Sequence, residues 1–412
     1  MSKILKKQNI MIIYRGLGVG GIETFIVRLA NFLCLKIDTQ VIVATSYGRL
    51  IDLINKRVHF TELPMNLYHS QSCDVLVENI ISENNWIILS FDPFSRFLTD
   101  LAIQKSLRKK NSLIIKHLTG CFHPRAYFIE EERKTHHILN RFVANRLGND
   151  NIYFMNDACR KNHQFILSRS VNNWPVIPIP IKISSENWIP EKKHKLFIIS
   201  VGRIVKFKAY IFGLVDLAIK FRSSNMDVSI TIYGHGEQYE ELKQLISFHN
   251  LSSMVKLDGL LDYSFFENEV KKYDLFVGMG TAAMEAAGLG VPTILTIDFD
   301  KENCYGYIQE LPLGAAGELI ENYPMIRLED AILDYFKLST EQRIKIGSDG
   351  KKYVSKLSES QYWLTIIDFS NKLTKSNKSL KQFSLLTVYF ILIQDFHRIY
   401  KVFIRKFSFG IK

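Results

Sequence analysis

A two-part α/β protein, with both halves doubly wound, is what this chain of 412 residues predicts, and three observations carry that expectation. Short continuous apolar runs alternate with helical patterns in both halves, prolines cluster once near the middle, and a fresh strand–helix series begins at Leu196. Strands that stay apolar at every position are buried on both faces, and strands separated by helices pair in parallel, so each half reads as a sheet covered by helices on both sides. At roughly 100 to 200 residues per domain, the length also asks for two domains. The 47% hydrophobic and 23% charged residues are those of a globular chain.

In order along the chain, Ile10 to Tyr14 reads as the first strand. The glycine loop Gly16-Leu17-Gly18-Val19-Gly20-Gly21 follows, then a helix from Glu23 to Leu33 with Phe25, Leu29, Phe32 and Leu33 apolar. Thr39 to Thr45, Trp86 to Ser90 and Leu113 to His117 are the next strands. Pro175, Pro178, Pro180 and Pro190 lie among Asn172, Asn173, Ser184 and Ser185 and mark the boundary. Beyond it, the strand Leu196 to Val201 runs into Gly202-Arg203 and a long helix to about Arg222. Val228 to Tyr233 ends in Gly234-His235-Gly236-Glu237 and is followed by a helix from Glu240 to Asn250. Val255 to Leu257, Leu275 to Val277 and Pro292 to Ile297 continue the second sheet. The predicted domains are residues 1–180 and 195–358, and clefts at the carboxyl ends of parallel strands are where such folds bind ligands.

Composition narrows the function classes. Cys34, Cys73, Cys121, Cys159 and Cys304 include no Cys-x-x-Cys pair, so the spacing suggests neither a disulfide framework nor a zinc site, and a reducing cytoplasm is the expected setting. Only six mostly apolar residues stand between Gln8 and Arg15, too few for the core of a signal peptide. The net charge is +12, yet eight basic residues against Asp395 give residues 375–412 a charge of +7 and leave +5 for the rest. That distribution argues against a nucleic-acid channel through the body of the protein.

The chemistry concentrates in the second half. The strand Asp274-Leu275-Phe276-Val277 breaks at Gly278-Met279-Gly280 and restarts as the helix Thr281-Ala282-Ala283-Met284-Glu285. A helix that starts on small residues leaves backbone N–H groups facing whatever lies above the sheet, and such a start is an anion site. Glu285, about one turn in, is placed to accept hydrogen bonds from a sugar hydroxyl. Arg203 and Lys208 emerge past the carboxyl end of an earlier strand, a planar donor fork beside a compact charge, which suits a diphosphate. A plain solvated helix start is the alternative, although cations there oppose the helix dipole.

Taken together, Val201-Gly202-Arg203-Ile204-Val205-Lys206-Phe207-Lys208, Ile232-Tyr233-Gly234-His235-Gly236-Glu237, Val255-Lys256-Leu257-Asp258-Gly259, Asp274-Leu275-Phe276-Val277, Glu285-Ala286 and Gly290-Val291-Pro292 resemble the second domain of GT-B glycosyltransferases of the family 4 kind. The resemblance covers roughly residues 196 to 295, and the first half is compatible through Gly20-Gly21-Ile22-Glu23. It implies a GT-B architecture whose two Rossmann-like domains face a cleft, with transfer of a sugar from a nucleotide donor bound mainly by the second domain. It further implies that Arg203 and Lys208 hold the diphosphate, that Glu285 holds the ribose and that the Thr281 and Ala282 N–H groups hold a phosphate. Gly280, Gly234 and Glu237 would complete the donor site, with Gly20 and Gly21 approaching from the first domain. The family often places a His, here His117, close to the transferred sugar. Neither a metal nor another cofactor is expected. A helix crossing back to the first domain is expected over 359–375. Two positions depart from the pattern. Val277 stands where the family usually has a further Glu, in a loop that is about six residues shorter here, and Ala209 stands where Gly is usual.

Several other residues invite competing readings. The first loop satisfies G-x-G-x-x-G after a strand, but the second strand ends in Thr45-Ser46-Tyr47 without the acidic residue that binds an adenosine ribose, which disfavours a nicotinamide enzyme. Asp92 could serve as a base if the reaction inverts configuration. Asp298-Phe299-Asp300 mimics a D-x-D metal motif but follows the wrong strand, so chance explains it better.

The last segment, 376–412, reads as a basic amphipathic tail. Its most apolar run, Phe383 to Ile393, is 11 residues, well below the roughly 20 that span a bilayer. From Phe396 on, Phe396, Tyr400, Phe403 and Phe407 share one helical face while Arg398, Lys401 and Arg405 share the other, a pattern suited to an anionic membrane surface. Packing against the first domain is the alternative. The expectation is therefore a cytoplasmic, peripheral membrane glycosyltransferase that moves a sugar from a nucleotide donor to a lipid-linked saccharide, as in bacterial surface polysaccharide assembly. A nucleotide-sugar epimerase of related fold and an inactive sugar-nucleotide-binding subunit are its rivals.

Overall fold

The computed structural model describes residues 8–18, 20–46, 48–64, 69–127, 135–148, 151–190 and 195–373. The tail read as amphipathic, 376–412, lies outside them. Two compact units divide the chain: residues up to Ile177 together with those from Leu364 on, and Pro178 to Trp363.

In the first unit the strands are β1 (Asn9–Ile13), β2 (Val41–Thr45), β3 (His59–Glu62), β4 (Asn85–Ser90), β5 (Ile114–Cys121) and β6 (Ile152–Phe154). They form one parallel sheet in the order β3-β2-β1-β4-β5-β6, the doubly wound order of dinucleotide-binding folds. β1 is buried at all five positions because it is paired on both edges, Ile12 with Val43 and with Leu89, and helices cover both faces. Those helices include α1 (Gly21–Lys36), α2 (His69–Ile81), α3 (Pro93–Lys109), α4 (Thr135–Ala144) and α5 (Asp157–Leu167). Met11, Ile13, Ile42, Trp86, Ile88 and Leu98 belong to one core cluster of this unit. At about 25 cal/mol per Å² of apolar area removed from water, each such side chain contributes roughly 1.5 to 3 kcal/mol before entropy is charged against it.

Two details differ from the sequence expectation. β5 runs four residues beyond His117, because Leu118 and Thr119 pair with Leu89 and Ser90 and Cys121 with Phe154, so His117 sits in mid-strand. Asp92 caps α3. Its Oδ1 accepts the N–H groups of Phe94 (2.9 Å) and Ser95 (3.0 Å), its Oδ2 accepts the Ser95 hydroxyl at 2.5 Å, and Pro93 opens the helix where a missing N–H costs nothing.

The second unit holds β7 (Leu196–Val201), α6 (Tyr210–Ser223), β8 (Val228–Tyr233), α7 (Tyr239–Phe248), β9 (Val255–Leu257), α8 (Phe266–Val270), β10 (Leu275–Gly278), α9 (Thr281–Gly288) and β11 (Thr293–Thr296). These five strands are parallel in the order β9-β8-β7-β10-β11. Two antiparallel strands that the sequence did not announce, β12 (Asn303–Tyr307) and β13 (Ile326–Arg327), extend the far edge. Then come α10 (Leu328–Phe336), α11 (Thr340–Val354), which a Ser339/Gln342 capping box opens, and α12 (Glu359–Lys372), within which the division between units falls. The proline-rich stretch is held along this unit. Ile181 N–H donates to Leu357 O (2.6 Å), Ser184 N–H to Gly288 O (3.1 Å) and the buried Trp188 indole to Tyr273 O (3.1 Å).

Candidate functional site

β7 lies between β8 and β10, so the loops that leave these three strands stand side by side at one end of the second unit. Past β7 the chain turns at Gly202-Arg203. Ile204 is wholly buried and anchors the turn: its N–H donates to His235 O (3.1 Å) and its carbonyl accepts from Gln238 N–H (3.1 Å), while Gly202 N–H donates to Tyr233 O (2.9 Å). The loop after β8 fits against it only because Gly234 and Gly236 lack a Cβ; one there would collide with the carbonyls of Gly202 and Ile204. Arg203, flanked by this anchor, is exposed, its guanidinium 5.9 Å from the centre of the Phe207 ring. Glu237 is exposed beside it, its Oε1 3.5 Å from the Lys206 N–H.

Lys208 folds back over the turn. Its Nζ occupies the space that a side chain at position 202 would fill, so glycine at 202 is what lets the ammonium lie on the backbone. Burial first, and the Arg203 charge second, push Lys208 down to about 8. The site thus holds two adjacent cations without a counter-charge strong enough to offset their repulsion, an arrangement that an anion would relieve.

At the end of β10, Gly280 adopts φ 76° and ψ −159°, a conformation open essentially to glycine alone, and this reversal starts α9 with no side-chain cap. Thr281 and Ala282, partly exposed, open the helix, and their N–H groups precede the first intrahelical bond, from Met284 to the Gly280 carbonyl (3.4 Å). Glu285 is buried to 6% exposure one turn on, where its Oε1 accepts the Tyr263 hydroxyl at 3.2 Å. The sequence reading therefore brought together Arg203, Lys208, Gly234, Glu237, Gly280, Thr281, Ala282 and Glu285, all on loops or helix starts at the strand ends of one unit. Val277, the departure from the family pattern, is fully buried in mid-β10 and paired with Ile294. That position lies in the sheet, where a carboxylate could not be solvated.

Glu318 was missed. It is 4% exposed, and its Oε2 accepts the Ala316 N–H at 3.0 Å, while the Ala316 carbonyl accepts the Gly280 N–H at 2.6 Å. The loop it stiffens is thereby clamped to the start of α9, with Gly317 (φ 106°) packed against Met279. The small residues of Gly314-Ala315-Ala316-Gly317 were its only sequence signal. Asp298 and Asp300 are tied to backbone, Asp298 accepting the Leu319 N–H (3.1 Å) and Asp300 those of Glu302 and Asn303 (both 2.8 Å).

In the first unit, Gly20 and Gly21 open α1 after β1, and the Glu23 carboxylate folds back over Gly20. His117, 8% exposed, belongs to a closed ring of hydrogen bonds. Arg96 can only donate and ionised Asp100 can only accept, which fixes every direction in the ring. Arg96 donates to Asp100 (2.9 Å) and to Thr119 (2.9 Å), Thr119 to Ser90 (3.0 Å), Ser90 to His117 Nε2 (2.9 Å), and His117 Nδ1 to Asp100 (2.9 Å). Burial tends to raise Asp100, but the charge of Arg96 and the bond from His117 outweigh it and hold the carboxyl below its usual range. Burial, assisted by Arg96, pushes His117 down to about 4, so the imidazole is neutral.

Comparison with known proteins bears on the fold and its class. Residues 184–353 match the family described as glycosyl transferases group 1. The poly(glycerol-phosphate) alpha-glucosyltransferase of Bacillus subtilis (strain 168) is 28% identical over 48% of this chain. The GtfA subunit of a UDP-N-acetylglucosamine–peptide N-acetylglucosaminyltransferase from Limosilactobacillus reuteri subsp. suis is 29% identical over 25% of it. The matches span only 30% and 20% of those two relatives. Among solved structures, a mutant of S. aureus TarM in complex with Fondaparinux, alpha-GlcNAc-glycerol and UDP superposes with a TM-score of 0.60 at 12% identity, covering 89% of this chain and all of that one. A glycosyltransferase from Rickettsia africae gives 0.61 at 14% identity, over 89% of this chain and 98% of that one. The fold is GT-B. Residues 184–353 are thus similar to the group 1 glycosyl transferases, within a chain whose fold is that of GT-B glycosyltransferases.

Proposed function

We propose that this protein transfers a sugar from a nucleotide-sugar donor to an acceptor used in building a bacterial surface polymer, in the chemistry expected here a lipid-linked saccharide. The observation that carries the proposal is the pairing of Arg203 and Lys208 with the uncapped start of α9 at adjacent strand ends of the second unit. In this reading both cations and the Thr281 and Ala282 N–H groups hold the diphosphate and stabilise the charge that grows on it as the glycosidic bond breaks, which in such sites is commonly the largest catalytic term. Each charge-assisted bond is worth roughly 1.5 to 3 kcal/mol, enough for the set to act without a metal. Glu285, fixed by Tyr263, takes the ribose. Gly234 and Glu237 border the donor, Gly20 and Gly21 let substrate approach the backbone of the first unit, and neutral His117 holds its strand rather than touching the sugar.

A polymeric acceptor draws support from the relative named as a poly(glycerol-phosphate) alpha-glucosyltransferase. Among the described residues no helix is long and apolar enough to cross a membrane. We assign attachment at the inner face of the cell membrane to the basic segment 376–412, whose charge suits anionic lipid. Incubating the pure full-length protein with a panel of nucleotide sugars and with lipid-linked or polyol-phosphate acceptors tests the reaction. One donor and one acceptor should give a glycosylated product with release of nucleoside diphosphate; epimerised donor, or binding with no chemistry, would replace this reading with one of its rivals. Anionic vesicles should pellet the whole chain but not a variant lacking residues 376–412.

A further inference from the structure

We propose that Cys121, Cys159 and His163 form a buried structural zinc site in the first unit, independent of the transfer chemistry. Cys121 is the last residue of β5, while Cys159 and His163 lie four residues apart on one face of α5. The fold brings them together: one ligand atom from each lies within 4.8 Å of the others, and all three residues are buried. The two Sγ atoms are 4.0 Å apart, and His163 Nε2 is 3.4 Å from Cys121 Sγ. With Zn–S near 2.3 Å and Zn–N near 2.0 to 2.1 Å, those separations correspond to ligand–metal–ligand angles of roughly 120° and 100°, close to tetrahedral.

The tautomer of His163 agrees. Its Nδ1–H donates to the Cys159 carbonyl at 2.8 Å, which leaves the lone pair of Nε2 directed at the Cys121 sulfur. A second-shell bond of this kind, from the far ring nitrogen to a carbonyl, is the usual means of orienting a metal-bound imidazole. Around the cluster the walls are aromatic. Phe154 lies 5.3 Å and Tyr127 5.8 Å from the His163 ring, centre to centre, and the wholly buried Tyr127 hydroxyl has no hydrogen-bond partner. A water would occupy the fourth position. Two thiolates and an imidazole favour zinc over harder cations. A closed site among core side chains joins the end of β5 to α5 and has a structural rather than a catalytic role.

The test uses full-length protein purified in reductant without chelator and analysed for metal by mass spectrometry. About one zinc per chain is expected, replaceable by Co²⁺ with the strong thiolate charge-transfer absorption of tetrahedral cobalt. Cys159→Ser should abolish that absorption, and chelation should lower the Tm of the wild type by several degrees. Should Cys159→Ser fail to fold, thiol labelling of the wild type decides, with Cys121 and Cys159 protected by Zn²⁺ and released by chelator. A wild-type protein that holds neither Zn²⁺ nor Co²⁺ after reconstitution, or one whose two cysteines are joined as a disulfide, would overturn the proposal.

Discussion

Arg203 and Lys208 leave the same strand end but carry their charge differently. Arg203 is exposed, whereas Lys208 lies on the Gly202 backbone and is held down to about 8. A bound diphosphate would favour the protonated amine and raise its pKa, so binding takes up a proton. Donor affinity is then highest below about pH 8 and falls towards tenfold per pH unit above it, until the pKa of the complex is reached. Calorimetric titration of nucleoside diphosphate at several pH values checks this, and Lys208→Met should remove the pH dependence. His117 gives the opposite kind of signature. Its folded pKa, about 4, lies below the unfolded value near 6.5, so the unfolded chain binds the extra proton between them. The stability from keeping it neutral is complete above about pH 6.5 and is lost as the pH falls towards 4, by about 3 kcal/mol. Urea unfolding at pH 7 and pH 4.5 should show that loss in the wild type and much less of it in His117→Gln.

At the scale of elements, the β10–α9 junction shows how far a sequence can be read. The strand, the glycine turn and Glu285 were legible because small residues between an apolar run and a helical pattern have few structural meanings. The strand placement of position 277 was legible too, but its partner was not: Val277 meets Ile294 in the core. Val277→Glu should therefore leave donor affinity unimproved and cost about 3 kcal/mol or more, because it buries a charge without a partner. Chemical denaturation reads the stability, and a stable variant with tighter donor binding would show that position 277 faces the site. Glu318 was invisible for a related reason. Its link to α9 passes through the backbone of Ala316, and no side-chain pattern encodes a backbone bond across 36 positions, from Gly280 to Ala316.

For the whole molecule, two doubly wound sheets followed from apolar periodicity and one proline cluster, since a parallel sheet buried on both faces leaves a strong trace in the sequence. Its edges left a weaker one. β12 and β13 are short and partly polar, and β13 is exposed at both residues. Cysteine spacing was silent on one cluster for the same physical reason as Glu318: Cys121 meets Cys159 only after β5, β6 and α5 have formed, a proximity made by topology rather than by spacing. In the proposed function the cations at the β7 end carry most of the donor binding, and Arg203→Ala tests them most directly. With the nucleotide sugar that stabilises the wild type in a thermal-shift panel, the variant should lose most of the stabilisation while keeping the unliganded Tm. An undiminished shift in Arg203→Ala would contradict the account.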